Sequence, residues 1–465
     1  MTKIASVLMG CLVACSCSAS GAGGSMDGGD EVAAPDGNIE TAPTGDGASD
    51  AASPAMRALD WVLEALNGGP LTESDVAARF APAFLAKVPV AQLIKVLQQL
   101  SAARPFTLVG LEGPATDRML VAVVTTGSHQ YLRIAVATDA AGRMQTLLLQ
   151  PAGDLDPSLS SWNAVDQAVS SLAPKAHLMA ATITDSGCAP THALGAEASL
   201  AIGSSFKLWV LAALAREIGS GAHAWTDTLP IADAHKSLPS GVLQDQPAGT
   251  PVSLLELANN MISISDNTAA DHLLFFLGRP TVEAMLATTA HHDPTLNQPF
   301  LSTRDMFNLK LMVTPAQQQA YIAAGVAERR MLLQTFDATY DPRTYLGPAW
   351  LTPRAIDTLE WFATPADLCN VMRALKTAAD QPPTARIRDV LSLNPGLANP
   401  GGAFSYVGFK GGSEPGVLNM TWLLQRKADQ KWLFFTLTFN DVQNAIDEDQ
   451  AIYLAGAARS LLAAP

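Results

Sequence analysis

Cysteine is scarce in this chain, and what there is does not suit a metal. Five cysteines occur in 465 residues, and three of them crowd at positions 11, 15 and 17, which leaves Cys188 and Cys369 for a folded body. No zinc-like spacing is present. The nearest ligand cluster, His291-His292-Asp293, reads as a polar loop, so neither a metal nor another cofactor is expected. Cys188 and Cys369 either pair in an oxidising compartment or remain two buried thiols. Positive charge is also short, with 29 Lys and Arg against 43 Asp and Glu, a formal net charge of −14. Without a basic patch interleaved with aromatics, a nucleic-acid partner is excluded. Residues 16–53 lack lysine, arginine and aromatic residues altogether. Such a stretch buries no core and is expected to be disordered. Seven acidic residues of the net charge lie in it, Asp27, Asp30, Glu31, Asp36, Glu40, Asp46 and Asp50, so the remainder is only mildly acidic.

What is present is apolar content of 48% over a length that predicts two or three domains. Residues 1–15 carry one basic residue, Lys3, and then an apolar stretch from Ile4 to Ala14 that is too short to span a bilayer. They read as a secretion signal. Leu12-Val13-Ala14-Cys15 resembles the lipobox of bacterial lipoproteins, in which the cysteine is lipidated and becomes the new N-terminus. Cys11, after Leu8-Met9-Gly10, is a second candidate, and an ordinary signal cut after a small residue a third. Residues 16–53 then form a tether spanning roughly 35 Å as a coil. The expectation is an exported bacterial lipoprotein, membrane-anchored on a periplasmic or extracellular face.

A first domain is expected over 54–153. Ser53 and Pro54 start a helix whose stripe is Leu59, Val62, Leu63 and Leu66, and Gly68 stops it. Further helical pieces end near Leu100. Strand-like runs follow at Phe106 to Leu111, Met119 to Thr126, Gln130 to Thr138 and Met144 to Gln150, separated by turn signals. Helices followed by a meander give an α+β domain, which looks like the cone-shaped steroid-isomerase or nuclear-transport-factor fold. It contains no catalytic constellation.

The second domain, 157–465, begins after a boundary at Asp154 to Pro157, with a helix from Leu159 to Leu172. Strands are expected at His177 to Thr184, Pro190 to Ala201, Ser405 to Ser413, Met420 to Lys427 and Trp432 to Phe439, with a last helix from Asp441 to Leu462. Two early strands and three late ones close one antiparallel sheet only if the ends of the domain meet. Between them, Ser204-Ser205-Phe206-Lys207 opens a run of eight apolar residues, Leu208 to Ala215, that ends at Gly219 and reads as a buried helix. Ser204 and Lys207 lie one turn apart on one face, where a desolvated amine can serve as base for a serine nucleophile. Ser265-Asp266-Asn267 ends a helical stretch that Ser253 and Glu256 start as a capping box. Lys410-Gly411-Gly412-Ser413 closes a strand.

Ser-x-x-Lys, Ser-Asp-Asn and Lys-Thr-Gly, in that order, are the motifs of class A β-lactamases and penicillin-binding proteins. The first two match in full, and Gly411 replaces the threonine of the third. With its lipoprotein start and two domains, the chain resembles a two-domain serine-hydrolase family that includes a clavulanic-acid biosynthesis protein and mycobacterial lipoproteins. The resemblance implies a class A β-lactamase-like fold, a five-stranded antiparallel sheet plus a helical subdomain, over the second domain. It implies Ser204 as nucleophile, Lys207 as its base, Ser265 as proton relay to the leaving group and Lys410 as positive charge beside Ser265. Backbone N–H groups of Ser204 and Ser413 would form the oxyanion hole, with Gly412 and Ser413 lining the substrate and Asn267 contacting its amide. The deacylating carboxylate of class A enzymes has its nearest likeness in Asp293, within Asp293-Pro294-Thr295-Leu296-Asn297; failing that, Lys207 must serve both steps. The reading is a serine hydrolase acting on a β-lactam, ester or peptide-like acyl donor. A genuine β-lactamase and a non-turnover ligand-binding sensor stand as alternatives.

Overall fold

The computed structural model describes residues 53–464, apart from residue 87, residues 112–116, 128–130 and 152–158, residue 238, and residues 338–349 and 398–401. The signal, the tether with Cys15, and the boundary at 154–157 therefore lie outside the described residues. Between Gln150 and Pro151 the chain divides into two compact units. No helix among the described residues is long and apolar enough to cross a membrane.

In the first unit, α1 (Pro54–Leu66) starts where Ser53 Oγ accepts from Met56 N at 3.2 Å. It ends before Gly68, whose φ of +93° suits glycine. Helices α2 (Glu73–Arg79) and α3 (Val90–Leu100) follow. Strands β1 (Thr107–Leu111), β2 (Met119–Thr125), β3 (Tyr131–Thr138) and β4 (Met144–Pro151) then form one sheet in chain order. Leu59, Val62 and Leu66 of α1 and Leu97 of α3 are fully buried together with Ala122, Val124 and Ile134 of the sheet. That shared core makes the unit α+β.

The second unit is built on a five-stranded antiparallel sheet, ordered β9-β10-β11-β5-β6. Its strands are β5 (Lys175–Thr184), β6 (Gly187–Leu194), β9 (Phe404–Glu414), β10 (Val417–Arg426) and β11 (Trp432–Asn440). The late strand β11 pairs with the early strand β5, so the domain ends meet. Nearly every residue of β10 and β11 is buried, because both faces of the sheet are covered. One face carries α4 (Trp162–Leu172) and α11 (Glu448–Ala463); the other carries the helical region around α5 (Lys207–Gly219). Leu208 through Ala215 are all buried, which is why that run is apolar on every side.

Three expectations need correction. Pro190 to Ala201 is not one strand. Gly195, with φ +59°, turns the chain away after β6, and a two-residue β7 (Leu200–Ala201) pairs instead with β8 (Phe362–Ala363). The last helix starts at Glu448 rather than Asp441, because the Asp441 carboxylate accepts from Gln443 N and Asn444 N and holds a turn. Asp447 caps the helix. Helix α6 (Leu254–Ser263) is capped by Ser253, which accepts from Glu256 N at 3.1 Å, but the Glu256 side chain does not complete a capping box. Cys188 on β6 and Cys369 on α10 (Pro365–Ala379) are joined in a disulfide spanning 181 residues.

Candidate active site

Ser204 sits in a 3-10 turn, Gly203–Phe206, that leads into α5. Gly203 takes φ +49°, a backbone state that favours glycine, and a Cβ there would stand 3.0 Å from Ser413 N. The two serines of the turn differ sharply. Ser204 is half-buried, whereas Ser205 is fully buried and donates to Asn419 Oδ1 at 2.5 Å. Ser204 is thus the serine with access to a ligand.

Lys207 is fully buried. Its Nζ donates to Asn267 Oδ1 at 2.6 Å and Ser265 O at 2.7 Å, and lies 3.2 Å from Ser265 Oγ. Burial pushes its pKa down to about 7, against the opposing pull of Asp266 and Asp271. With a pKa of about 7 the amine is divided between charged and neutral forms near neutral pH, and the neutral form has a lone pair to take a proton. Ser265 is placed by strain, with a φ of +57° that a serine seldom adopts. Asp266 explains how that is held. Its carboxylate caps α7 (Asn267–Leu277) at Ala269 N and accepts from Val242 N and Leu243 N. Ser240 Oγ donates to Ser265 O at 2.7 Å.

Lys410 reaches the same hydroxyl from the other side, Nζ to Ser265 Oγ at 3.0 Å. Burial lowers its pKa well below the ordinary lysine value, and Lys207 lowers it further. Gly412 is required by contact: a Cβ on it would lie 2.4 Å from Ser204 N and 2.2 Å from Ile202 O. The strand backbone and the nucleophile's turn therefore touch, bringing the Ser413 segment beside the Ser204 amide. At Gly411 a Cβ would stand 2.9 Å from the Phe409 ring, which occupies the space a threonine would need.

The structure thus brings Ser204, Lys207, Ser265, Asn267, Lys410, Gly412 and Ser413 together, and it does not bring in Asp293. That carboxylate accepts from Thr295 N and Thr295 Oγ1, is half-buried, and among the described residues shares no hydrogen-bond partner with Lys207 or Ser265. These Thr295 bonds hold its pKa below the usual range. The deacylating role expected for Asp293 draws no support from that geometry. His291 and His292 are joined by Asp367 rather than Asp293. Asp367 caps α10 through Thr364 and accepts from His292 N and Nδ1, both at 2.7 Å. His291 Nδ1 accepts from Asp293 N, which puts its proton on Nε2, 2.9 Å from Phe362 O. These donor atoms are spent on holding the loop, so the trio does not fit a metal.

Two groups escape sequence reading. The first is a buried relay under the nucleophile turn. Asn419 receives Ser205 Oγ and Thr421 Oγ1 and donates to Thr436 Oγ1 and, at 2.7 Å, to Thr438 Oγ1. Thr438 lies 2.5 Å from His177 Nε2, and His177 Nδ1 lies 3.0 Å from Ala198 O. Because a carbonyl only accepts, the His177 proton is on Nδ1; burial lowers its pKa to about 4 and keeps it neutral. Polar residues alternating on otherwise apolar strands, 419 and 421 then 436 and 438, are the signal for it. The second is Lys310, Glu360 and Glu414, buried together. Nothing local marks it in the sequence.

The profile of the β-lactamase enzyme family matches residues 179–456, more than half of the chain, and that of the ORF 12 gene product N-terminal region matches residues 51–144. No curated protein sequence matches. Among solved structures, a β-lactamase from Sphaerobacter thermophilus is 20% identical, covering 65% of this chain and 96% of its own, with a TM-score of 0.46. A PBP-A variant captured as an acyl-enzyme with penicillin G is 15% identical, covering 66% and 98%, TM-score 0.44. A β-lactamase from Chitinophaga pinensis is 13% identical, covering 65% and 98%, TM-score 0.45. With its match across most of the second unit, this chain belongs to the β-lactamase enzyme family.

Proposed function

We propose that the protein is an exported, lipid-anchored serine hydrolase that forms an acyl-enzyme through Ser204 on a β-lactam, ester or peptide-like acyl donor. The observation that carries the reading is the convergence of Lys207 and Lys410 on Ser265 Oγ beside the turn that holds the half-buried Ser204. Ser204 Oγ attacks the acyl carbon and passes its proton to neutral Lys207. Ser265 hands a proton to the leaving group, and Lys410 favours the developing negative charge. The backbone amides of Ser204 and Ser413 receive the oxyanion. Asn267 accepts from Lys207 through Oδ1 and contacts the amide of the substrate.

Export and the Cys15 anchor are supported by the Leu12-Val13-Ala14-Cys15 pattern and by the Cys188–Cys369 disulfide, a bond favoured in oxidising compartments. For the first unit we propose a cone-like fold of the steroid-isomerase or nuclear-transport-factor type with a supporting or ligand-sensing role; helices followed by a meander support it. The test of the catalytic reading is peptide mapping after incubation with penicillin G or a fluorophosphonate. The expected adduct is on Ser204. A label on Ser205, or none on either serine with both probes, overturns it.

A further inference from the structure

An acyl-enzyme that turns over needs a group to activate water, and Asp293 is placed elsewhere. Strand β9 offers another carboxyl. Residues two apart on a strand share a face, so Lys410, Gly412 and Glu414 point the same way. Lys410 on that face touches Ser265, and Gly412 abuts the Ser204 amide. Glu414 is the next residue of the series, about 7 Å further along the strand, and directly follows Ser413. Its Oε1 accepts from Lys310, the Glu360 carboxyl lies against it, and Oε2 is buried without a donor among the described residues. Lys310 also donates to Glu360 Oε1 at 2.8 Å. Glu360 is tied to the back of the nucleophile turn. Its neighbour Trp361 accepts from Ile202 N through its carbonyl and stacks on Phe206 at 3.8 Å.

We propose, resting on the acyl-enzyme reading above, that Glu414 is the carboxyl group that activates water for deacylation, with Lys310 and Glu360 setting its charge. Oε2 takes a proton from water as the water oxygen bonds to the acyl carbon of the Ser204 ester. The tetrahedral intermediate then collapses, the bond from carbon to Ser204 Oγ breaks, and the proton passes to Ser204 Oγ, releasing the carboxylic acid. Burial, and then Glu360, raise the pKa of Glu414 well above the ordinary value, while Lys310 opposes them. The titratable groups facing it are Lys310 and Glu360. Lys410 lies on its own strand.

The test is Glu414→Gln, which mimics the protonated carboxyl in shape and cannot take a proton from water. With p-nitrophenyl acetate, burst rate reads acylation and steady state reads deacylation. The expected result is a burst rate within about threefold of wild type and a steady state lowered roughly 10²- to 10⁴-fold, the range for a general base, with a persistent Ser204 adduct by mass spectrometry. A retained burst with an unchanged steady state overturns the proposal alone, as does a wild-type adduct that never decays. Failure to label wild-type Ser204 overturns the acyl-enzyme reading with it. A second measurement needs no variant fold. Wild-type adduct decay should quicken as pH rises through the ionisation of Glu414, and that limb should vanish in Glu414→Gln; decay independent of pH in the wild type, or a limb that survives in the variant, overturns the proposal.

Discussion

Lys207 works as a base only when neutral, and its surroundings bring that state to hand. Its folded pKa of about 7 lies below the ordinary lysine value, so the amine loses its proton as pH rises through about 7. Acylation measured as kcat/KM should therefore rise across that interval and level off above it, and Lys207→Ala should lower acylation roughly 10²- to 10⁴-fold. A flat profile from pH 5.5 to 8.5 contradicts the assignment. The two serines of the turn separate in the same way. Ser205→Ala removes one hydrogen bond to Asn419 and should cost about 1 kcal/mol in thermal unfolding while leaving Ser204 labelling intact. Asn419→Leu strands Ser205, Thr421 and Thr438 in the interior and should cost more, about 2–3 kcal/mol. Equal, negligible losses in both would show that the relay does not hold the turn. Ser204, Lys207, Ser265 and Lys410 are legible in the sequence because each lies in a short contiguous motif. Asn419, His177 and Glu414 are not, because their partners arrive from strands and helices far along the chain. Asp293 misleads because Asp-Pro and a Leu-Asn pair make a good turn as readily as a water site, and its carboxylate serves Thr295.

At the scale of elements, the strand positions follow from alternation and turn residues, and the sheet order from the need to join early and late strands. Its details depend on contacts no window of sequence contains. Gly195 ends β6 where an unbroken strand is expected, since a Cβ there would strike Ala176 O at 2.7 Å. The nucleophile's turn is 3-10 rather than α because it must lie flat against β9 at Gly412. This contact yields a prediction. In Gly412→Ala the methyl meets only backbone, at Ile202 O, Ser204 N and Ser205 N, so the turn itself has to move. Displacing an oxyanion donor lowers kcat by roughly 10²- to 10³-fold, and that loss is expected here with the chain still folded by circular dichroism. Gly325→Ala, where a Cβ meets nothing within 4 Å, is the control and should be silent. Acylation at the wild-type rate in Gly412→Ala would mean that the turn and strand tolerate separation.

In the second unit a covalent staple joins the sheet to the helical region, and the proposed membrane address rests on the N-terminal pattern. Cys188 and Cys369 lie 181 residues apart, so closing that loop constrains the unfolded chain by up to roughly 5 kcal/mol in the chain-entropy account. Protein recovered from an oxidising compartment should take up no iodoacetamide at either cysteine until reduced, and Cys369→Ala should lower Tm. The stretch from 16 to 53 carries seven carboxylates and no lysine, arginine or aromatic residue, the composition on which the proposed spacer rests. A spacer has a purpose only when its start is fixed, and Cys15 is the residue that the Leu12-Val13-Ala14-Cys15 pattern marks for attachment. One lipid chain binds a membrane weakly and reversibly, so firm anchoring requires at least two. Cys15→Ala removes the site of all of them. The expected result is a shift of the protein from the membrane fraction to the soluble one, with Ser204 labelling unchanged because the catalytic unit does not depend on the anchor. A Cys15→Ala protein that stays with the membrane while Cys11→Ala becomes soluble would move the attachment to Cys11.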